Sequence, residues 1–117
     1  MQDFRKLEVW RRSHGLALRA YRISRDLPAD ERFGLCSQIR QAAASIPANI
    51  AEGCGRKGRS ELRQFLYISM GSASELEYFL LLARDLRMLD ASRYQETELE
   101  LIEIKKMLAG LLQRISP

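Results

Sequence analysis

"GCGRKGRS", residues 53–60, decides between two folds. Gly53, Gly55 and Gly58 match the dinucleotide-binding spacing G-x-G-x-x-G. Gly53, Gly58, Arg59 and Ser60 miss the P-loop pattern by one residue, arginine for lysine. Both motifs need a β-strand feeding the loop, so that backbone N–H groups converge on phosphate at the next helix. The preceding "SIPANIAE", residues 45–52, reads as helix, and no segment offers the strands of a parallel sheet. The loop is therefore expected to be a turn between helices. Gly53 would follow the helix end, Gly55 and Gly58 would be turn positions, and Ser60 would cap the next helix. Arg56, Lys57 and Arg59 before a helix N-terminus would still favour an anion.

Outward from the loop, four segments carry helical periodicity. The first, about 7–27, places Leu7, Trp10, His14, Ala17 and Tyr21 on one side, widened by Leu16, Ala20, Ile23 and Leu27. Arg11, Arg12, Arg19, Arg22 and Arg25 fall opposite, and Pro28 ends the segment. The second, about 30–52, buries Leu35, Ile39, Ala42, Ala43, Ile46 and Ile50. Pro47 within it removes a hydrogen bond to the Ala43 carbonyl and is expected to kink it. The small residues Ala42, Ala43, Ala44, Ala48 and Ala51 allow close approach, and Gln38, Ser45, Asn49 and Glu52 form a polar line that needs partners in the bundle or across a subunit contact.

The third segment, about 60–89, presents Leu62, Phe65, Leu66, Ala73, Leu76, Leu80 and Ala83 on one face, while "YFLLLA" (78–83) is apolar almost all round. Such a helix is buried on more than one side, which points to a second subunit. The fourth, about 92–115, repeats as a heptad through Tyr94, Thr97, Leu101, Ile104, Leu108, Leu111 and Ile115, with Asp90 or Ser92 as cap. Short connections make consecutive helices antiparallel. The expected fold is all-α, an up-down-up-down antiparallel four-helix bundle forming one domain over residues 1–117.

Composition agrees with a globular chain of 117 residues, 46% hydrophobic and 29% charged. With no long uncharged apolar run and no signal-like start, a cytoplasmic protein is expected. Cys36 and Cys54 lie in no motif and read as small buried hydrophobes. A lone histidine, His14 on the apolar side of its helix, reads as a core or interface residue and leaves no partner for a nucleophile. Glu75, Glu77, Glu96, Glu98, Glu100 and Glu103 lack the Glu-x-x-His pattern of di-iron bundles and read as solvated helix faces. No catalytic residue, metal or cofactor is expected.

Charge is uneven. Residues 1–60 carry 12 Lys/Arg against 6 Asp/Glu, and residues 61–117 carry 7 against 9, within a net +4. The candidate nucleic-acid-binding residues are Arg11, Arg12, Arg19, Arg22, Arg25, Arg56, Lys57 and Arg59. Phosphate-backbone contact and an ordinary solvated surface both remain open for them. Few aromatic residues accompany these cations, so any binding is expected to be independent of base sequence.

"FRKLEVWRRS" (4–13), "LPADERFGLCSQIRQAAASIPANIAEGCGR" (27–56) and "ELRQFLYISMGSASELEYFL" (61–80) together resemble the bundle proteins encoded in intervening sequences of bacterial large-subunit (23S) ribosomal RNA genes. The resemblance covers about residues 4–112. A related bundle is the accessory variability determinant of diversity-generating retroelements. The resemblance implies a ring-shaped homopentamer, which in the retroelement branch binds nucleic acid and associates with a reverse transcriptase. The matching residues are Gln38, Arg40, Ser45, Ile46, Pro47, Asn49, Ile50, Ala51, Glu52, Gly53, Arg56, Gly71, Ser72, Glu75 and Glu77, with structural or assembly roles implied. Gln41 departs from the family's frequent second arginine after Arg40. The expected function is non-enzymatic: a homo-oligomeric accessory factor that meets RNA or DNA through phosphate contacts, or a structural or protein-interaction module without nucleic-acid affinity, whose basic face meets an acidic protein or the acidic last helix of a neighbour.

Overall fold

In the computed structural model, which describes residues 2–115, four helices follow one another: α1 (Glu8–Arg25), α2 (Leu35–Cys54), α3 (Arg59–Asp85) and α4 (Ala91–Arg114). Short 3-10 turns at Phe4–Lys6 and Ala29–Glu31 precede α1 and α2. Among the described residues there is no strand. Each helix packs on the next, and α4 closes back on α1. The direction of each helix follows from contacts at the ends. Gln2 N–H donates to the Cys54 carbonyl at 3.1 Å, joining the start of the chain to the end of α2. Arg93 on α4 pairs with Asp26 beyond α1 at 2.9 Å, and Arg63 on α3 reaches the Leu112 carbonyl near the end of α4 at 2.7 Å. The arrangement is up-down-up-down, as the short connections predict.

Leu16, Ile23, Ile39, Ile46, Ile50, Leu66, Leu76, Leu80, Leu101, Ile104 and Leu108 are the large apolar side chains fully enclosed at the centre. Each contributes roughly 1.5–3 kcal/mol on burial, so this column outweighs every surface ion pair of the molecule. The heptad of α4 holds through Leu108, after which Leu112 is buried while Leu111 and Ile115 lie half-exposed. Asp90 caps α4 as expected, accepting from Arg93 N–H at 3.0 Å.

Several boundaries differ from the sequence expectation. The Ala29–Glu31 turn delays α2 to Leu35. α3 stops at Asp85 rather than near Leu89, because Arg87 takes a left-handed conformation (φ 62°). Its N–H then bonds the Arg84 carbonyl, and Met88 N–H bonds the Ala83 carbonyl, both at 2.9 Å, which closes the helix in a Schellman motif.

The glycine loop is a turn, but its glycines have other tasks than expected. α2 runs through Gly53 and Cys54, and no glycine adopts positive φ. Gly53 is buried against α3, where a Cβ would meet Leu62 Cδ1 and Phe65 Cβ at 3.0 Å. It is a close-approach residue. Gly58, not Ser60, occupies the cap position of α3, without a side-chain bond.

Candidate nucleic-acid interface

The arginines of α1 do not form one free face. Arg11 pairs with Glu8 at 2.6 Å in its own first turn. Arg12 and Arg19 turn toward α4, to Glu100 at 3.6 Å and Glu96 at 3.5 Å. With Asp26–Arg93 these pairs lace the α1–α4 seam. Half-exposed pairs of this kind are each worth less than about 1 kcal/mol, so they orient charge more than they stabilise the fold. The acidic face of α4 thus neutralises much of the basic face of α1. Arg22 and Arg25 are exposed and make no ion pair among the described residues.

In the loop, Arg56 pairs with Glu52 at 3.1 Å and Glu61 at 3.9 Å, with its guanidinium 5.0 Å from the Phe65 ring. Lys57 and Arg59 are exposed beside it without a carboxylate among the described residues, around a hollow of about 130 Å³ that Gln2 and Leu62 also line. This loop sits at the end of the bundle where α1 begins, whereas Arg22 and Arg25 sit where α1 finishes. α3 alone spans about 40 Å at 1.5 Å per residue, and the molecule's long axis is 43 Å. The unpaired cations among the candidate residues therefore make two terminal patches rather than one.

The motif residues stitch α2 to α3. Ser45 Oγ and Ser72 Oγ lie 2.8 Å apart, and Asn49 Nδ2 donates to the Ser45 carbonyl at 2.8 Å and to its hydroxyl at 2.9 Å. Buried Ser69 donates to the Ile46 carbonyl at 2.8 Å, in the turn next to Pro47. Ser69 is a site that apolar periodicity misses because serine is polar, although its register on α3 (Leu66, Ser69, Ala73) is that of a buried position. α2 continues without interruption through buried Pro47. Of the polar line, Ser45 and Asn49 find partners inside the bundle, Glu52 meets Arg56, and Gln38 is exposed. Glu77 pairs with Lys105 on α4 at 2.9 Å, while Glu75 and Gly71 face outward. Arg40 donates from Nε to Ser24 Oγ at 2.7 Å across the α1–α2 seam.

His14 is not a core residue. The inward stripe of α1 is Val9, Ser13, Leu16, Ala20 and Ile23, and the Trp10–His14–Tyr21 line sits one step round the helix. His14 is exposed and stacks on Trp10, ring centroids 5.1 Å apart and planes 5° apart, with Phe4 edge-on to Trp10 at 4.9 Å. These rings, with Leu18, form one wall of an open apolar groove of about 450 Å³. Ala44, Pro47, Ala48 and Ala51 form the other. On α3, Tyr67 and Tyr78 remain 54% and 56% exposed, so the described residues leave these side chains uncovered.

Both cysteines are free and buried, as their context predicts. Burial pushes the Cys54 thiol above its usual range, which keeps it protonated and unreactive at neutral pH. No group of three His, Cys, Asp or Glu residues among the described residues could hold a metal ion, and no described helix is long and apolar enough to cross a membrane.

No curated protein matches the chain. Among solved structures, a protein of unknown function of the S23 ribosomal protein family from Bacteroides thetaiotaomicron superposes with a TM-score of 0.84 at 27% identity, covering 89% of this chain and 97% of that one. The family model of the 23S rRNA-intervening sequence protein matches residues 5–110, and with nearly the whole bundle inside that match, this chain belongs to the 23S rRNA-intervening sequence protein family.

Proposed function

We propose that this protein is a non-enzymatic homo-oligomer, pentameric by the pattern its sequence resembles, that serves as an accessory factor by holding RNA or DNA through phosphate contacts. The observation that carries the proposal is that four of the candidate cations are exposed without carboxylate partners among the described residues: Arg22 and Arg25 at one end, Lys57 and Arg59 at the other. Copies arranged in a ring would repeat each patch around a rim. That converts a modest +4 per chain into a charged circle for a polynucleotide, or for a nucleic-acid enzyme such as a reverse transcriptase that carries one. Arg12 and Arg19, already paired with α4, would contribute less.

Fluorescence anisotropy with labelled single-stranded RNA and duplex DNA across a salt series tests this. The logarithm of affinity should fall linearly with the logarithm of salt, with a slope of about −0.7 to −0.9 per phosphate neutralised. Arg22→Glu with Lys57→Glu should weaken all sequences alike and flatten that slope. Absence of binding at low salt, or binding indifferent to salt, would sink the proposal. A protein-interaction module without nucleic-acid affinity would then stand instead. The observation favouring that second function is the apolar groove between α1 and α2, a surface suited to another protein.

A further inference from the structure

We propose that the hollow where α1 turns into α2 binds a phosphomonoester dianion, held by Arg25, Arg32 and Arg40. The cavity is about 320 Å³, and Arg25, Arg32 and Arg40 line it together with Ser24, Cys36 and the turn residues Leu27, Pro28 and Ala29. Among the described residues no carboxylate lines it. The acidic residues of the same turn are engaged elsewhere or stand apart. Asp26 accepts from Arg93 on α4 at 2.9 Å, Glu31 Oε1 accepts from Leu35 N–H at 3.2 Å, and Asp30 is exposed without an ion pair among the described residues.

Arg40 makes the hollow a site rather than a patch. It is half-buried, its Nε is fixed by Ser24 Oγ at 2.7 Å, and its guanidinium carbon lies 5.3 Å from the Tyr21 ring centroid. Ser24 Oγ itself donates to the Tyr21 carbonyl at 2.8 Å, so the guanidinium plane is held from two sides. A half-enclosed cation without a counter-charge is unfavourable, and a bound anion would relieve it. The Nε bond leaves both terminal nitrogens of Arg40 for the fork-like contact that suits phosphate.

Charge and shape select the monoester. A terminal phosphate carries about −1.5 to −2 charges at neutral pH and offers three oxygens, which suits three guanidiniums. A backbone diester has a single charge and is flanked on both sides by sugars, so it enters a concave hollow poorly. The phosphate's carrier has two sources, the end of an oligonucleotide or free inorganic phosphate. Only the first rests on the function proposed above.

The test uses the full chain with inorganic phosphate by calorimetry, and with one short RNA carrying either a 5′-phosphate or a 5′-hydroxyl by anisotropy. The phosphorylated RNA should bind about tenfold tighter, with inorganic phosphate competing for that advantage. Arg25→Gln with Arg32→Gln, both at exposed positions, should abolish the advantage without lowering the melting temperature. Arg40→Gln should do the same, with its fold checked by circular dichroism. Inorganic phosphate binding without RNA affinity would support the site while defeating the nucleic-acid function. Equal affinity for both RNA ends with no phosphate binding would overturn the site whatever the backbone affinity, and so would an advantage that survives the Arg25/Arg32 variant.

Discussion

Gly53 and Gly15 are both helical glycines with opposite consequences. At Gly53 a methyl would strike Leu62 Cδ1 and Phe65 Cβ at 3.0 Å, and the Phe65 Cβ cannot rotate away, so Gly53→Ala should cost about 1–3 kcal/mol. At Gly15 a Cβ meets nothing within 4 Å, so Gly15→Ala should stabilise by about 0.5–1 kcal/mol through backbone entropy. Thermal melts of the two variants should move in opposite directions. Equal shifts would remove close approach as the reason for glycine at 53. Two buried protons predict the alkaline limit. Burial raises the pKa of Cys54, and burial, followed by the hydrogen bond to Glu98, raises that of Tyr94. Each group therefore releases its proton more readily in the unfolded chain. Their contribution is complete below the unfolded values, about 8.5 and 10, and is lost as pH rises through the higher folded values. Melting temperature should hold between pH 7 and 8 and decline above about pH 9, with a shallower decline in Cys54→Ala. A melt insensitive to pH up to 11 would contradict this.

Between elements, two of the four seams differ in kind. α2 and α3 meet through small residues and buried hydroxyls, whereas α1 and α4 meet at their outer edge through charge. Arg19→Ala should accordingly lower stability by less than about 1 kcal/mol, and the loss should vanish in molar salt. Ser69→Ala should cost about 1 kcal/mol at any salt, because its bond to Ile46 is buried. Denaturant melts at two ionic strengths separate the two kinds of seam, and a salt-independent loss at Arg19 would mean that packing rather than charge operates there. The helices themselves were legible from periodicity. Their ends were less so, because the Schellman closure depends on Arg87 accepting positive φ, a conformation its residue type disfavours. The core alternative for His14 fails for a similar reason. Trp10, His14, Ala17 and Tyr21 share helical spacing as faithfully as Val9, Ser13, Leu16 and Ala20 do, and only the angle at which α2 and α4 approach chooses between the stripes.

At the scale of the whole molecule, the uncovered apolar side chains among the described residues include those of the α1–α2 groove and the tyrosines of α3. They are different surfaces, and a patch on one copy meeting a different patch on the next forms a ring when the rotation closes. Light scattering at micromolar concentration should return a multiple of 13.5 kDa. Leu18→Glu, at a half-exposed groove position, should dissociate the assembly with little change in helicity. A monomeric mass for the unaltered protein would sink the oligomer proposal.

Four helices, antiparallel order and the helical context that makes "GCGRKGRS" a turn between helices were determined by the sequence alone, because periodicity, short connections and the lack of strand patterning are local properties. Which arginines remain unpaired was decided only by tertiary structure. Ion pairing depends on where a distant helix comes to rest: α4 carries Glu96 and Glu100 to Arg19 and Arg12, while the turn into α2 gathers Arg25, Arg32 and Arg40 around one hollow.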